Sequence, residues 1–244
     1  MRVTPEQRTF VALDTGDVDR ARALARALAG GVGGFKIGLE AFVACGPALV
    51  DEMRGLGHVV FLDLKFHDIP NTVAGASAAA ARLGVGFFTV HALGGPAMIA
   101  RAVEASRAGV PAGADAPVVL AVTILTSHDD DALRRIGIDG TCAGAVPRLA
   151  ALARDAGAGG VVCSPLEVAP ARRAFPEGVL VVPGIRPETQ GQRLPDDQAR
   201  VASAAAAVRA GADRIVVGRP ITGARDPAAA AAAIADDIRR NAGR

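Results

Sequence analysis

Tryptophan and tyrosine are absent from this sequence, and its eight phenylalanines leave aromatics at 3% of 244 residues. Half the residues are apolar, so a full core can still be buried. Alanine, valine, leucine and isoleucine are expected to fill it. Cysteine is scarce as well. Cys45, Cys142 and Cys163 are odd in number and far apart, which excludes metal or redox spacing and suits a reducing cytoplasm. No apolar run is long enough to span a bilayer, residues 1–10 lack the apolar stretch of a signal peptide, and the short alanine-rich runs at 201–208 and 226–235 read as helix. An excess of one charge is also missing: 27 basic residues face 25 acidic ones without a block of either, for a net +2. That balance argues against an extended nucleic-acid surface while leaving room for one local anion pocket.

Lysine is nearly absent too. It stands only at Lys36 and Lys65, and every other basic residue is arginine. On a solvated surface the two serve alike, but an arginine fork effectively never loses its proton, whereas lysine is a compact charge that can donate one. Two survivors could be chance, or positions where only an ammonium works.

What the sequence does have is alternation. Apolar strand-like runs at 9–13, 35–38, 59–64, 87–91, 118–123, 160–163, 180–183 and 214–218 are separated by segments of helical length. Val18, Ala21, Leu24, Ala25 and Leu28 mark one helical face. Ser164-Pro165-Leu166-Glu167 reads as a capping box, and Asp226-Pro227 as the start of the last helix. Strand–helix alternation implies a parallel sheet. About eight units in a chain of this length predict a single-domain (β/α)8 TIM barrel over residues 1–244, with an open doubly wound sheet as the alternative. Chemistry is then expected where strands end and loops begin.

Polar residues that look wrong for a core fall at those ends. The densest group is Phe61-Leu62-Asp63-Leu64-Lys65-Phe66-His67-Asp68-Ile69-Pro70-Asn71-Thr72. Strand alternation puts Asp63 and Lys65 on one face and Leu62 and Leu64 on the other, aiming an ion pair into the barrel mouth. Asp68 falls in the following loop, and Lys36 ends the second strand beside the third. Structural roles compete: Asp68 or Asn71 could cap the helix near Pro70, Asp63–Lys65 could be a purely structural pair, and Asp14 could be a turn residue, with Asp17 the better cap. His91 ends the fourth strand and reads as structural. It shows no metal-ligand spacing with His58, His67 or His128.

Asp63-x-Lys65-x-x-Asp68-Ile69-Pro70-x-Thr72, with Lys36-Ile37-Gly38 upstream, closely resembles the signature of the orotidine 5'-phosphate decarboxylase family. The similarity runs in order through Leu13-Asp14, Thr89-Val90-His91-Ala92, Leu125-Thr126-Ser127, Pro183-Gly184-Ile185-Arg186 and Gly218-Arg219-Pro220-Ile221. The resemblance implies removal of CO2 from orotidine 5'-monophosphate, the last step of UMP biosynthesis, without metal or other cofactor, in a homodimer. It also implies roles. Lys36, Asp63, Lys65 and Asp68 form the catalytic charge network, with Asp68 reaching into the partner's site. Asp14 and Lys36 hold ribose hydroxyls, Thr126 hydrogen-bonds the base, and Ile69 and Thr72 join the binding set.

A phosphate site is expected after the seventh and eighth strands. Gly218 lets backbone approach an anion, Arg219 and Arg186 are forked donors, and Pro220 can open one helical turn ending near Gly223. The polar loop 187–198 reads as a lid. The resemblance places a phosphate-binding glutamine near its end, best matched by Gln198, with Gln192 the rival. Two other functions compete. Magnesium-dependent keto-sugar-phosphate decarboxylases or aldolases resemble this chain in their Asp-x-Lys-x-x-Asp core, but they have an acidic metal ligand where Lys36 stands and lack the Ile69–Thr72 continuation. A silent phosphate-binding barrel is the other.

Overall fold

The computed structural model describes residues 3–111, 113–186 and 201–243. Among them, β1 (Thr9–Ala12), β2 (Gly34–Gly38), β3 (Val60–Phe66), β4 (Phe87–His91), β5 (Val118–Val122), β6 (Gly160–Val162), β7 (Val179–Val182) and β8 (Arg214–Val217) pair in sequence order into a closed parallel barrel. Closure is made by β1 on β8, with Phe10 opposite Val216. The open-sheet alternative is thereby excluded.

Helices between the strands supply the crossovers that parallel pairing needs. Their starts follow the local chemistry. Asp17 caps Val18–Ala27 by accepting the N–H groups of Asp19 and Arg20, and Asp226 caps Pro227–Asn241 through the Ala229 N–H. The first of these helices buries Ala21, Leu24 and Ala25, the face expected from their spacing. The capping box expected at 164–167 does not form. Ser164 instead caps a single 3-10 turn, Pro165–Glu167, through the Leu166 N–H, and the Glu167 carboxylate takes the Ser164 hydroxyl. A 3-10 turn bonds one residue earlier than an α-turn, so the cap shifts by one.

The core has two layers. Val11, Leu13, Phe35, Ile37, Leu62 and Val90 face outward into a large, mostly aliphatic layer beneath the helices. Phe10, Ala12, Phe61, Leu120, Val181 and Val216 face inward and fill the barrel. Alanine, valine, leucine and isoleucine make up most of the buried core, as expected, with phenylalanines added to both layers. Phe10, Phe61 and Phe87 meet edge to face with ring centroids 5.5–6.2 Å apart. Each such pair adds about 0.5–1.5 kcal/mol beyond the area it buries. Three of the eight phenylalanines thus fill width inside the barrel that alanine and valine leave open, while Phe35, Phe88 and Phe175 pack in the outer layer.

β3 is the irregular strand. It is in register with β4 at Leu62 opposite Phe88, and its next paired residue is Phe66, opposite Val90. Four residues of β3 advance while β4 advances two, a bulge that puts Lys65 at φ +52°. Among the described residues no other non-glycine has positive φ. The left-handed region costs such a residue about 1–2 kcal/mol.

Candidate active site

The carboxyl ends of the strands surround a pocket of about 520 Å³. Its floor is the upper surface of the inner core, including Ala12, Phe61, Val162 and Val216. β2 carries Lys36 into it as the third of five strand residues rather than the last, with Phe61 as its register partner on β3. Register partners on parallel strands project to the same side, so Lys36 rises from the floor beside a phenyl ring.

Four charges form a chain across one wall. Asp14, just beyond β1, is 2.9 Å from Lys36 Nζ; Lys36 Nζ is 3.6 Å from Asp63 Oδ2; Asp63 Oδ1 is 2.9 Å from Lys65 Nζ. The sign alternates at every step. The side chains of Lys36 and Asp63 are only 12% and 13% exposed, whereas Lys65 is 32% and Asp14 57%. The inner pair is therefore desolvated while the outer two face the cavity. Burial raises the pKa of Asp63, but the charges of Lys36 and Lys65, with hydrogen bonds from Lys65 and Thr89, outweigh it. The carboxyl is held below its ordinary range. Its contribution to stability is present above the unfolded value and lost only as pH falls through the lower folded one. Room for the chain comes partly from Gly38: a Cβ there would lie 2.8 Å from Lys36 Nζ and 3.1 Å from Asp14 Oδ1.

Asp63 and Lys65 do share a face, as expected, although regular alternation is not the reason. The bulge turns Lys65 back toward Asp63. The side chain that spans the bulge opens the family-like stretch Thr89–Ala92, but the sequence alone assigns it no role. Fully buried Thr89 on β4 accepts the Lys65 N–H at 2.8 Å and donates its hydroxyl to Asp63 Oδ1 at 3.0 Å. Its signal was a lone hydroxyl in the apolar run Phe87-Phe88-Thr89-Val90.

The opposite wall comes from later loops. Leu125 and Thr126 line the pocket after β5, Pro183, Gly184 and Arg186 after β7, and Gly218 and Arg219 after β8. The short helix Arg219–Thr222 stops at Gly223, as expected. Gln198 and its rival Gln192, with the rest of the lid segment, lie outside the described residues.

Asp68, Ile69 and Thr72 do not line this pocket. All three are exposed, Ile69 by 66%. Neither Asp68 nor Asn71 caps the helix Pro70–Arg82, whose N-cap is Ile69 with no side-chain bond; Asp68 accepts the Ile69 N–H instead. Among the described residues no group of three or more histidine, cysteine or acidic side chains is arranged to hold a metal ion, and no helix is long and apolar enough to cross a membrane.

These positions can be set beside known proteins. The family model described as Orotidine 5'-phosphate decarboxylase / HUMPS family matches residues 7–234. The chain belongs to this family. An orotidine 5'-phosphate decarboxylase of Anaeromyxobacter sp. (strain K) is 54% identical over 232 residues, covering 95% of this chain and 98% of the relative. One from Halorhodospira halophila is 52% identical over 239 residues, covering 98% of each. A crystal structure of the orotidine 5'-phosphate decarboxylase of Lactobacillus acidophilus superimposes with a TM-score of 0.83 at 40% identity, covering 94% of this chain and 98% of that one. Family membership and fold thus agree with the barrel and its polar mouth.

His91, in the family-like stretch Thr89–Ala92, is buried. Its Nδ1 accepts the Leu93 N–H at 3.4 Å, and its ring stacks on His67 with centroids 5.3 Å apart. Burial, then the nearby His67, Lys65 and His128 charges, lower its pKa to about 4. Between pH 6.5 and about 4 the unfolded chain binds a proton that the folded one refuses. Stability should therefore decrease as pH is lowered across that window. His91→Asn keeps an acceptor for Leu93 but does not titrate, so urea unfolding at several pH values should show a shallower loss in this variant. An unchanged slope would remove His91 from that role.

Proposed function

We propose that this chain decarboxylates orotidine 5'-monophosphate to uridine 5'-monophosphate and CO2, the step that completes UMP biosynthesis, in the cytoplasm and without a cofactor. The observation that carries the reading is the pairing of Lys65 with Asp63 at the pocket edge, backed by Lys36. In this reaction the bond from ring carbon C6 to the carboxylate breaks, and the electron pair stays on C6, where resonance gives little relief. A fixed positive charge at that point is the main requirement. Lys65 meets it, and its ammonium then gives C6 the proton that replaces CO2, to be reprotonated by solvent. Asp63 keeps Lys65 charged and lies beside the departing carboxylate. Lys36 and Asp14 hold ribose hydroxyls, Thr126 the base, and Arg186, Gly218, Arg219 and Gln198 the phosphate.

Asp68, Ile69 and Thr72 act in a second copy's pocket. Their exposure on their own chain, outside its pocket, supports a dimer in which each copy completes the other's site. The names of the relatives support the decarboxylase reading over the keto-sugar-phosphate one. So does Lys36, because an ammonium 3.6 Å from Asp63 occupies the ground where the rival enzymes carry an acidic metal ligand. The test is loss of orotidylate absorbance with purified protein in excess chelator. Turnover that survives is expected. Chelator-sensitive turnover of a keto-sugar phosphate would transfer the assignment to the rival, and nucleotide binding without turnover would leave a silent barrel.

A further inference from the structure

Taking the decarboxylase reading as its basis, we infer that Thr89 is a positioning residue whose hydroxyl holds Lys65 and Asp63 in reacting geometry across the β3 bulge. The argument starts from an N–H that the bulge removes from the sheet. Between Leu62 and Phe66, β3 has no regular partner on β4, and Lys65 lies within that gap at positive φ. A buried N–H without an acceptor is costly, and a left-handed non-glycine persists only where its surroundings hold it. Thr89 sits on β4 between the last and first regular partners, Phe88 and Val90, so its side chain faces the gap. Its Oγ1 accepts the Lys65 N–H at 2.8 Å and donates to Asp63 Oδ1 at 3.0 Å. One buried hydroxyl thereby fixes the backbone of the proton donor and the carboxylate that orients its ammonium. Asp63 Oδ1 receives the Thr89 hydroxyl and Lys65 Nζ together, which leaves Oδ2 facing Lys36.

Packing alone would make the opposite demand. A residue kept for shape is best replaced by isosteric valine and worst by serine, which loses a methyl group. A residue kept for its hydroxyl reverses that order. Misplacing a reacting group by about 1 Å can cost on the order of 100-fold. Thr89→Val is accordingly expected to lower kcat by about 10–100-fold with KM changed less than about threefold, because nucleotide-holding groups elsewhere are untouched. Thr89→Ser should stay within about threefold of wild type in kcat. The inference is overturned if Thr89→Val retains kcat within about threefold of wild type, or if Val and Ser are equally impaired. Should the valine protein fail to fold, Thr89→Ser and Thr89→Ala differ only by the hydroxyl, and equal kcat in that pair overturns it as well. Absence of turnover in the wild-type protein defeats the decarboxylase reading itself, a result distinct from any difference among the Thr89 variants.

Discussion

Lys65→Arg and Lys65→Ala should each abolish decarboxylation while the barrel still folds. General-acid donation contributes about 10²–10⁴-fold and a fixed charge at a developing anion about 10²–10³-fold. With both roles on one ammonium, kcat/KM is expected to fall by at least about 10⁴-fold. Arginine keeps the charge, yet its fork is too broad for a site shaped around Nζ 2.9 Å from Asp63, and it does not release a proton. Neither variant changes the backbone problem at φ +52°, because arginine and alanine meet the same steric limits there as lysine. Asp63 keeps Lys36 and the Thr89 hydroxyl as partners, so the carboxylate is not stranded. Circular dichroism and thermal unfolding should therefore report a folded protein beside an inactive one. Near-normal turnover in either variant would take the proton-donor role away from Lys65.

Mixing two dead proteins should restore activity. Asp63→Ala removes the carboxylate from a chain's own pocket, whereas Asp68→Ala is proposed to damage only the partner's. Each alone should be nearly inactive. In a mixed dimer one site collects both defects and the other collects neither. Random exchange at equal concentrations makes half the dimers mixed, so about a quarter of all sites, and about a quarter of wild-type activity, should return. The contrast with the unmixed variants is large. No recovery, despite exchange demonstrated by mass-tagged subunits, would place Asp68 outside a shared site.

The sequence carried different parts of this protein with different clarity. Strand positions were readable to within a residue or two because apolar runs and helix caps are local signals. Asp14, Lys36, Asp63, Lys65, Thr126, Arg186, Gly218 and Arg219 were readable as one site because each lies in the carboxyl-side part of a strand or in the loop after it, and a parallel barrel gathers those parts on one face. Three things were not readable. The inward placement of Phe10, Phe61 and Phe87 depends on barrel width, the Ser164 cap on the tightness of one turn, and Thr89 on a bulge in a neighbouring strand.

By itself, then, the sequence determined the eight strand–helix units, the two lysines and their order among the acids. Only the tertiary structure decided that strict alternation fails at Lys65, that a hydroxyl from β4 fills the resulting gap, and that Asp68 is exposed and outside the lining of its own pocket. The physical reason is that residue type and spacing set which side of a regular strand a group takes. Where the strand departs from regularity, the group's direction is set by whatever neighbouring chain satisfies its freed backbone.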